Sequence, residues 1–308
     1  MAPRTQIAVS PQSRPAMYEA LVAAVVAAGG EVVPISDASA LMWADPAAAD
    51  SFPGAVAEAP DLEWVQLPYA GIENFADQLD PSITWTCGKG VYAEPVAEHI
   101  IALTLAGFRH IHTASRASSW PAQEGRNLLG AKVTVIGGGG ITESLIRLLE
   151  PWNVEVTVVR RSPKPLAGAD HTVTADQTLD AVGAADVVVL AAAVTEETLG
   201  MVDRDFFAAM DDDAWLINVG RGALVVTDDL VQALRTGTIG GAALDVTDPE
   251  PLPDGHPLWD EPNCIITPHV ANTPEMGLPL LAERVRLNVE RWIAGDGLIG
   301  LVDVEAGY

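Results

Sequence analysis

Three charged residues with complementary chemistry stand in the last third of this 308-residue chain: Arg221, Glu250 and His269. Arginine presents a planar fork of N–H donors that matches a carboxylate, and each such charge-assisted hydrogen bond contributes about 1.5–3 kcal/mol. Histidine titrates near neutrality, so it can hold a proton and release it to a developing alkoxide. A carboxylate beside the histidine would favour its protonated form and fix its tautomer. The set suits reduction of a 2-oxo acid, with Arg221 as carboxylate anchor, His269 as acid and Glu250 as its partner.

Taken singly, each of these residues also has an ordinary interpretation. Arg221 lies between two glycines, Glu250 lies between two prolines and His269 follows a proline, and such positions are most often solvated loop sites. Functional residues are a minority of titratable groups. The surrounding segments therefore decide between the two interpretations.

Those segments carry a family resemblance. They are residues 217–225, 245–252, 256–259 and 263–269. Together they resemble the D-isomer-specific 2-hydroxyacid dehydrogenases, most of all the glyoxylate and hydroxypyruvate reductases, and the likeness extends over about residues 64–292. The resemblance assigns carboxylate binding to Arg221, acid/base catalysis to His269 and support of that histidine to Glu250. It also implies a homodimer.

Composition excludes several classes of partner. The chain has 17 Lys and Arg against 42 Asp and Glu, and a net charge of −25 repels nucleic acid and anionic membranes. The first residues lack the apolar run of a signal peptide, and the longest apolar stretch, 187–194, is too short to span a bilayer. Cys87 and Cys264 form no ligand-spaced cluster, so no disulfide or metal site is indicated. We expect a cytoplasmic protein without nucleic-acid or membrane partners.

The order of predicted elements indicates one domain inserted into another. Strands alternate with helices, which predicts parallel, doubly wound sheets. An apolar helix beginning at Pro95 would lead into the second domain, and a last helix over about 280–292 would return to the first. The predicted strands of the second domain are 132–136, 154–159, 187–190, 216–219, 242–245 and 264–267. We predict an α/β fold with a Rossmann-type nucleotide-binding domain, 95–274, inserted into a smaller flavodoxin-like substrate domain, 1–94 and 275–308.

A glycine run lies between the strand 132–136 and the helix that follows it. Gly137 and Gly139 would let backbone amides and the helix N-terminus meet a pyrophosphate without an intervening Cβ. Thr142 occupies the place of the third fingerprint glycine, which puts the packing of that helix in doubt. A glycine turn in an α/β unit that binds no nucleotide is the alternative. By resemblance, further cofactor contacts fall on Gly140, Ile141, Ala193, Thr198, Val219 and Asp245.

The end of the next strand distinguishes the two nicotinamide cofactors. NAD enzymes place an acidic residue there, roughly 20 residues past the first glycine, to bind the ribose 2′-hydroxyl. This chain has Arg160, Arg161, Ser162 and Lys164 instead, a donor cluster that suits a 2′-phosphate. A solvated turn on an acidic protein is the alternative. We predict NADP in preference to NAD, in line with family reductases that have an Arg-Ser pair at this place.

The substrate end of the chain is less specific. Tyr69, Ala70 and Gly71 match the family loop whose amides help hold the substrate carboxylate, although Tyr69 equally suits a packing role. The chain ends soon after its last predicted helix, so we expect no appended regulatory domain of the kind found in many phosphoglycerate dehydrogenases, and this expectation favours a small unphosphorylated acid such as glyoxylate or hydroxypyruvate. A phosphoglycerate dehydrogenase-like enzyme and a non-catalytic nicotinamide-sensing protein are the alternatives. Formate dehydrogenases fit less well, because they have Gln where Glu250 stands.

Overall fold

The structure, a computed structural model, describes residues 3–304, which form two compact units. The split unit comprises the described residues up to Tyr92 and from Thr273 onward, and the central unit comprises Ala93–Asn272. The domain boundaries predicted from the sequence lie after residues 94 and 274. No helix in this described range is both long and apolar enough to cross a membrane.

Both units alternate strands and helices. The strands are β1 Gln6–Ser10, β2 Glu31–Val32, β3 Ala40–Trp43, β4 Trp64–Gln66, β5 Thr84–Thr86, β6 Lys132–Ile136, β7 Glu155–Val159, β8 His171–Val173, β9 Val187–Leu190, β10 Trp215–Asn218, β11 Gly241–Leu244 and β12 Cys264–Ile266. The α-helices are α1 Pro15–Ala27, α2 Phe52–Ala57, α3 Ala93–Phe108, α4 Ile111–Ala114, α5 Gly140–Leu149, α6 Thr178–Gly183, α7 Arg204–Ala209, α8 Thr227–Thr236 and α9 Pro274–Ala294.

The split unit is built on a five-stranded sheet in the order β2-β1-β3-β4-β5. All of its strand pairs are parallel, and this is the strand order of a flavodoxin-like sheet, as predicted. Ala40 and Met42 of β3 pack in the cluster that holds Leu281 of α9, whereas Leu41 and Trp43 pack in the cluster that holds Phe52. Both faces of β3 are therefore buried. Its sequence shows no apolar-polar alternation for that reason, and the strand was not predicted.

The last helix is longer than the sequence indicated. It begins at Pro274 rather than near residue 280, and Pro279 lies inside it. A proline within a helix removes a backbone hydrogen bond and costs about 3 kcal/mol or more. Leu281, Val285 and Val289 of this helix are buried in the split unit, and each buried aliphatic side chain contributes about 1.5–3 kcal/mol. Burial therefore outweighs the local penalty that made the start of the helix hard to predict.

The central unit is a doubly wound parallel sheet in the order β12-β11-β10-β9-β6-β7-β8. The chain starts at β6 in the interior, builds one half through β7 and β8, and then crosses to β9 to build the other half. This is the Rossmann-type arrangement that was predicted. Its direction of winding changes between β6 and β9, and in such sheets ligands bind at the carboxyl ends of the strands at this point. The predicted strands 132–136 and 187–190 coincide with β6 and β9, and the other predicted strands differ by a single residue at their ends.

Candidate active site

The candidate residues of the central unit lie along one edge of its sheet. Gly137 follows β6, Arg160 follows β7, Arg221 follows β10, Glu250 follows β11 and His269 follows β12. Because all these strands are parallel, the segments that leave their carboxyl ends share one edge of the sheet. Residues far apart in sequence are thereby placed in neighbouring loops.

His269 and Glu250 form a direct hydrogen bond. Nδ1 of His269 lies 2.7 Å from Oε1 of Glu250, and both side chains are about half exposed. A carboxylate can only accept, so Nδ1 carries the proton of this bond and Nε2 is left to exchange a proton with a ligand. The pair has the geometry of an oriented acid/base catalyst.

The loop around His269 is held by the carboxylate of Asp245, which is 2% exposed. Oδ1 accepts hydrogen bonds from Thr267 Oγ1 at 2.6 Å and Val270 N at 2.9 Å, and Oδ2 accepts one from Ala271 N at 3.0 Å. Burial alone would raise the pKa of Asp245, but hydrogen bonds from His99, Thr267 and the two amides outweigh it and lower the pKa to about 2. The structure therefore shows Asp245 as an ionised loop anchor. Its cofactor contact stays a prediction from the resemblance.

Arg221 stands in a turn organised by Asn218, whose side chain is buried. Asn218 Nδ2 donates to Arg221 O at 2.9 Å, and Gly220 N donates to Asn218 Oδ1 at 3.1 Å. The next residue, Gly222, packs against the backbone of the loop after β11: a Cβ on it would lie 2.0 Å from the carbonyl carbon of Thr247. Only glycine permits this approach, which brings the Arg221 turn against the segment that leads to Glu250.

The glycine run between β6 and α5 fits a dinucleotide pyrophosphate. Gly137 has a φ of +115°, and a Cβ there would lie 2.6 Å from Ala191 O, so this position requires glycine. Gly139 is the N-cap residue of α5 and provides no side-chain cap, and a Cβ on it would meet no protein atom within 4 Å. The amides of Gly140 and Ile141 in the first turn are therefore available to an anion next to open space.

Thr142 is accommodated in this loop. Its side chain is fully buried, and its hydroxyl donates to Gly137 O at 2.8 Å. In the glycine fingerprint, a third glycine at this position lets the helix pack closely against the strand. Here the hydrogen bond from Thr142 closes the turn instead. The departure from the fingerprint therefore leaves the amide cradle intact.

Arg160 lies against the same cradle. A Cβ on Gly138 would come within 2.9 Å of Arg160 Cδ and 3.0 Å of Arg160 Nε, so the arginine side chain crosses the glycine run. Arg161 is exposed, and Ser162 Oγ accepts from Lys164 N at 3.3 Å in the following turn. Three of the four predicted 2′-phosphate donors are thus found in one turn next to Arg160.

The remaining predicted cofactor residues of the central unit lie after β9 and β10. Thr198 Oγ1 donates to Ala193 O at 2.7 Å, which joins these two candidates in a single turn. Val219 is buried and its N–H donates to Leu190 O at 3.2 Å. These contacts place all three beside the point where the winding of the sheet reverses.

Tyr69, Ala70 and Gly71 belong to the split unit, in the segment after β4. Tyr69 is half-buried, and its ring contacts that of Tyr92 edge to face with centroids 5.8 Å apart. Gly88 N donates to Tyr69 O at 3.0 Å, and Tyr92 Oη donates to Pro68 O at 2.7 Å. These contacts establish the packing role of Tyr69. Substrate binding by the three residues stays a prediction.

Comparisons with known proteins agree with this architecture. Residues 100–271 match the family model described as the NAD-binding domain of D-isomer specific 2-hydroxyacid dehydrogenases. An uncharacterized protein of Corynebacterium melassecola is 40% identical over 96% of this chain and 98% of its own length. The human glyoxylate reductase/hydroxypyruvate reductase is 35% identical over 59% of this chain and 58% of its own, little more than half of either.

A solved structure of a D-isomer specific 2-hydroxyacid dehydrogenase is similar to this chain over nearly its full length. The D-isomer specific 2-hydroxyacid dehydrogenase from Xanthobacter autotrophicus Py2, in complex with NADPH and MES, is 25% identical to this chain. It superposes with a TM-score of 0.84 over 98% of this chain and 99% of its own.

Proposed function

Because the chain belongs to the D-isomer specific 2-hydroxyacid dehydrogenase family, we propose that it reduces glyoxylate and hydroxypyruvate to the corresponding 2-hydroxy acids. It is an NAD(P)-dependent oxidoreductase that acts on CH–OH groups. The observation that carries the proposal is the 2.7 Å bond from His269 Nδ1 to Glu250, which orients a proton-bearing imidazole at the carboxyl edge of a nucleotide-binding sheet. The human relative is a glyoxylate reductase/hydroxypyruvate reductase, which supports the choice of substrates.

In the proposed reaction each residue has a defined task. The guanidinium of Arg221 pairs with the substrate carboxylate and fixes the orientation of the neighbouring carbonyl. Nε2 of His269 donates a proton to the carbonyl oxygen as negative charge develops there, and Glu250 stabilises the protonated imidazole. The nicotinamide, when bound, supplies the hydride. The glycine-run amides would hold its pyrophosphate, and Arg160, Arg161 and Ser162 would hold the 2′-phosphate of NADPH.

The substrate assignment predicts a clear order of rates. With NADPH, glyoxylate or hydroxypyruvate should give a kcat/KM at least about tenfold above that of pyruvate, phenylpyruvate or phosphohydroxypyruvate, since one charge-assisted contact made or missed changes affinity by tenfold or more. Initial rates with this panel test the order. A preference for phosphohydroxypyruvate would instead indicate a phosphoglycerate dehydrogenase-like enzyme. Tight NADPH binding with no turnover of any acid would indicate a nicotinamide-sensing protein.

The turn formed by Arg160, Arg161, Ser162 and Lys164 predicts that kcat/KM is at least about tenfold higher with NADPH than with NADH. The reason is that a charge-assisted bond to the 2′-phosphate contributes about 1.5–3 kcal/mol. Arg160→Asp should reverse this order, because it removes a donor, repels phosphate and offers an acceptor to the ribose 2′-hydroxyl. Rates with both cofactors measure the effect, and Arg204→Asp, at an arginine of α7 whose side chain is 82% exposed, controls for the change in net charge. A parent enzyme that prefers NADH, or a preference untouched by Arg160→Ala with Arg161→Ala, would refute the NADP assignment and leave the dehydrogenase assignment standing.

We also infer a homodimer and a cytoplasmic location, from the family resemblance and the composition. One feature supports the first of these. Ile111, Trp120 and Leu129, in the segment that follows α3, are 52%, 92% and 62% exposed. Exposed apolar side chains grouped in one segment are typical of a surface that another protein covers.

A further inference from the structure

We propose that His99 is a positioning residue for the reductase reaction: through Thr267 and Asp245 it holds the loop that places His269. The inference rests on the proposed function for its kinetic consequence, but not for its structural one. His99 was predicted only as part of the apolar helix that begins the second domain, so its contact with the site is a finding of the tertiary structure.

His99 reaches the loop from the middle of α3. Its side chain is 20% exposed, and Nε2 lies 3.1 Å from Thr267 Oγ1 and 3.4 Å from Asp245 Oδ1. The buried residues of α3 are all apolar, glycine or threonine. Placing the His99 imidazole on this face of the helix therefore costs desolvation free energy, and its hydrogen bonds offset that cost.

The direction of these hydrogen bonds follows from a count of protons. The hydroxyl of Thr267 has one proton, and the 2.6 Å bond gives it to Asp245 Oδ1. Thr267 Oγ1 can then only accept from His99, so Nε2 of His99 carries a hydrogen. The resulting chain runs from His99 to Thr267 to the carboxylate. Each donor in it is directed toward the buried negative charge of Asp245.

Asp245 in turn holds the backbone at the catalytic histidine and at the two residues that follow it. Asp245 accepts from the amides of Val270 and Ala271 through its carboxylate, and from the amide of His269 through its carbonyl oxygen at 2.9 Å. His269 itself has a φ of +53°, in the left-handed region that non-glycine residues seldom adopt. Such a conformation is strained and persists only where the surroundings enforce it. A weaker anchor would therefore release His269 and misplace Nε2.

The test compares two substitutions that differ in one hydrogen-bond donor. His99→Gln places an amide N–H at about the reach of Nε2, whereas His99→Leu fills the space without a donor. We expect His99→Leu to lower kcat for glyoxylate about 10- to 100-fold, as a misplacement of about 1 Å does, with the Kd of NADPH within about twofold. His99→Gln should stay within about threefold of the parent. His112→Leu is the control: within residues 3–304 the hydrogen bonds of the His112 ring go to the backbone carbonyls of Ala106 and Pro262, so kcat of this variant should be unchanged.

A second measurement is independent of turnover. Amide hydrogen exchange of Val270 and Ala271 should be at least about tenfold faster in His99→Leu than in the parent, and near parental in His99→Gln. Thr267→Val should reproduce the defect and Thr267→Ser should not, which keeps the test valid if His99→Leu folds poorly. Three outcomes would overturn the positioning role. They are an equal loss of kcat in His99→Leu and His99→Gln, a similar loss of kcat in His112→Leu, and unchanged amide exchange in His99→Leu. A parent that reduces no 2-oxo acid while the exchange pattern holds would refute only the proposed function.

Discussion

His269→Ala is expected to lower kcat for reduction of the preferred 2-oxo acid by about 10²–10⁴-fold, the usual contribution of a positioned general acid. The loss follows because His269 bonds Glu250 through Nδ1 and leaves Nε2 to the substrate, whereas Nε2 of the neighbouring His99 is already bonded to Thr267. The pair with Glu250 is half exposed, and ion pairs of that kind contribute only about 0–1 kcal/mol to stability. The melting temperature should therefore change little while the rate falls. Initial rates at saturating NADPH, with thermal unfolding alongside, measure both.

The chain offers a matched control for this substitution. His171 and Glu155 form a second exposed His–Glu pair, with 3.4 Å between Nε2 and Oε1, at the amino ends of β7 and β8. His171→Ala removes the same type of contact at the opposite edge of the sheet and should leave kcat unchanged. Glu250→Gln should give a smaller loss than His269→Ala, because the amide can still bond Nδ1 but no longer stabilises the positive imidazole. A parental rate in His269→Ala would exclude this residue as the acid.

Arg221→Ala is expected to lower kcat/KM by about 10²–10³-fold, mainly through KM. A bidentate carboxylate contact is made in both the ground state and the transition state, so its loss is largely a loss of uniform binding, with a smaller fall in kcat from poor orientation. Arg221→Lys should recover little, because an ammonium group cannot reproduce the planar fork. Initial-rate kinetics with glyoxylate and hydroxypyruvate, together with an NADPH titration, separate substrate binding from cofactor binding.

Arg235→Ala provides the comparison for loss of an arginine. Arg235 belongs to helix α8, and its Nε lies 2.8 Å from Oε1 of Glu261. The Arg235 side chain is half exposed. Its removal should leave KM for the 2-oxo acid unchanged. If Arg221→Ala stayed within about twofold of the parent in kcat/KM, under roughly 0.5 kcal/mol, the carboxylate would have to be anchored elsewhere.

Much of the architecture could be derived from the sequence by itself. The alternation of strands and helices indicated two parallel sheets, and the strand orders of both units agree with the flavodoxin-like and Rossmann-type folds that were predicted. Prediction succeeded where the signal is local: β6 and β9 are short runs rich in β-branched residues, with Gly137 after the first and Asp186 before the second. It missed β3, because burial on both faces removes the alternation that marks a strand, and it started α9 late, because Pro279 is a local signal that tertiary burial overrides.

The chemistry of the candidate site divides in the same way. Residue type suggested roles for Arg221, Glu250 and His269, since an arginine fork, a carboxylate and an imidazole each suit one task in reducing a 2-oxo acid, and the family resemblance of the surrounding segments favoured those roles. Only the tertiary structure showed that Glu250 and His269 are hydrogen-bonded, that Thr142 closes the glycine turn, and that Asp245 holds the His269 loop with donors from His99 and Thr267. The physical reason is that hydrogen bonds and close contacts between distant segments depend on strand order and register, whereas the periodicity and composition that a sequence displays describe only neighbours along the chain.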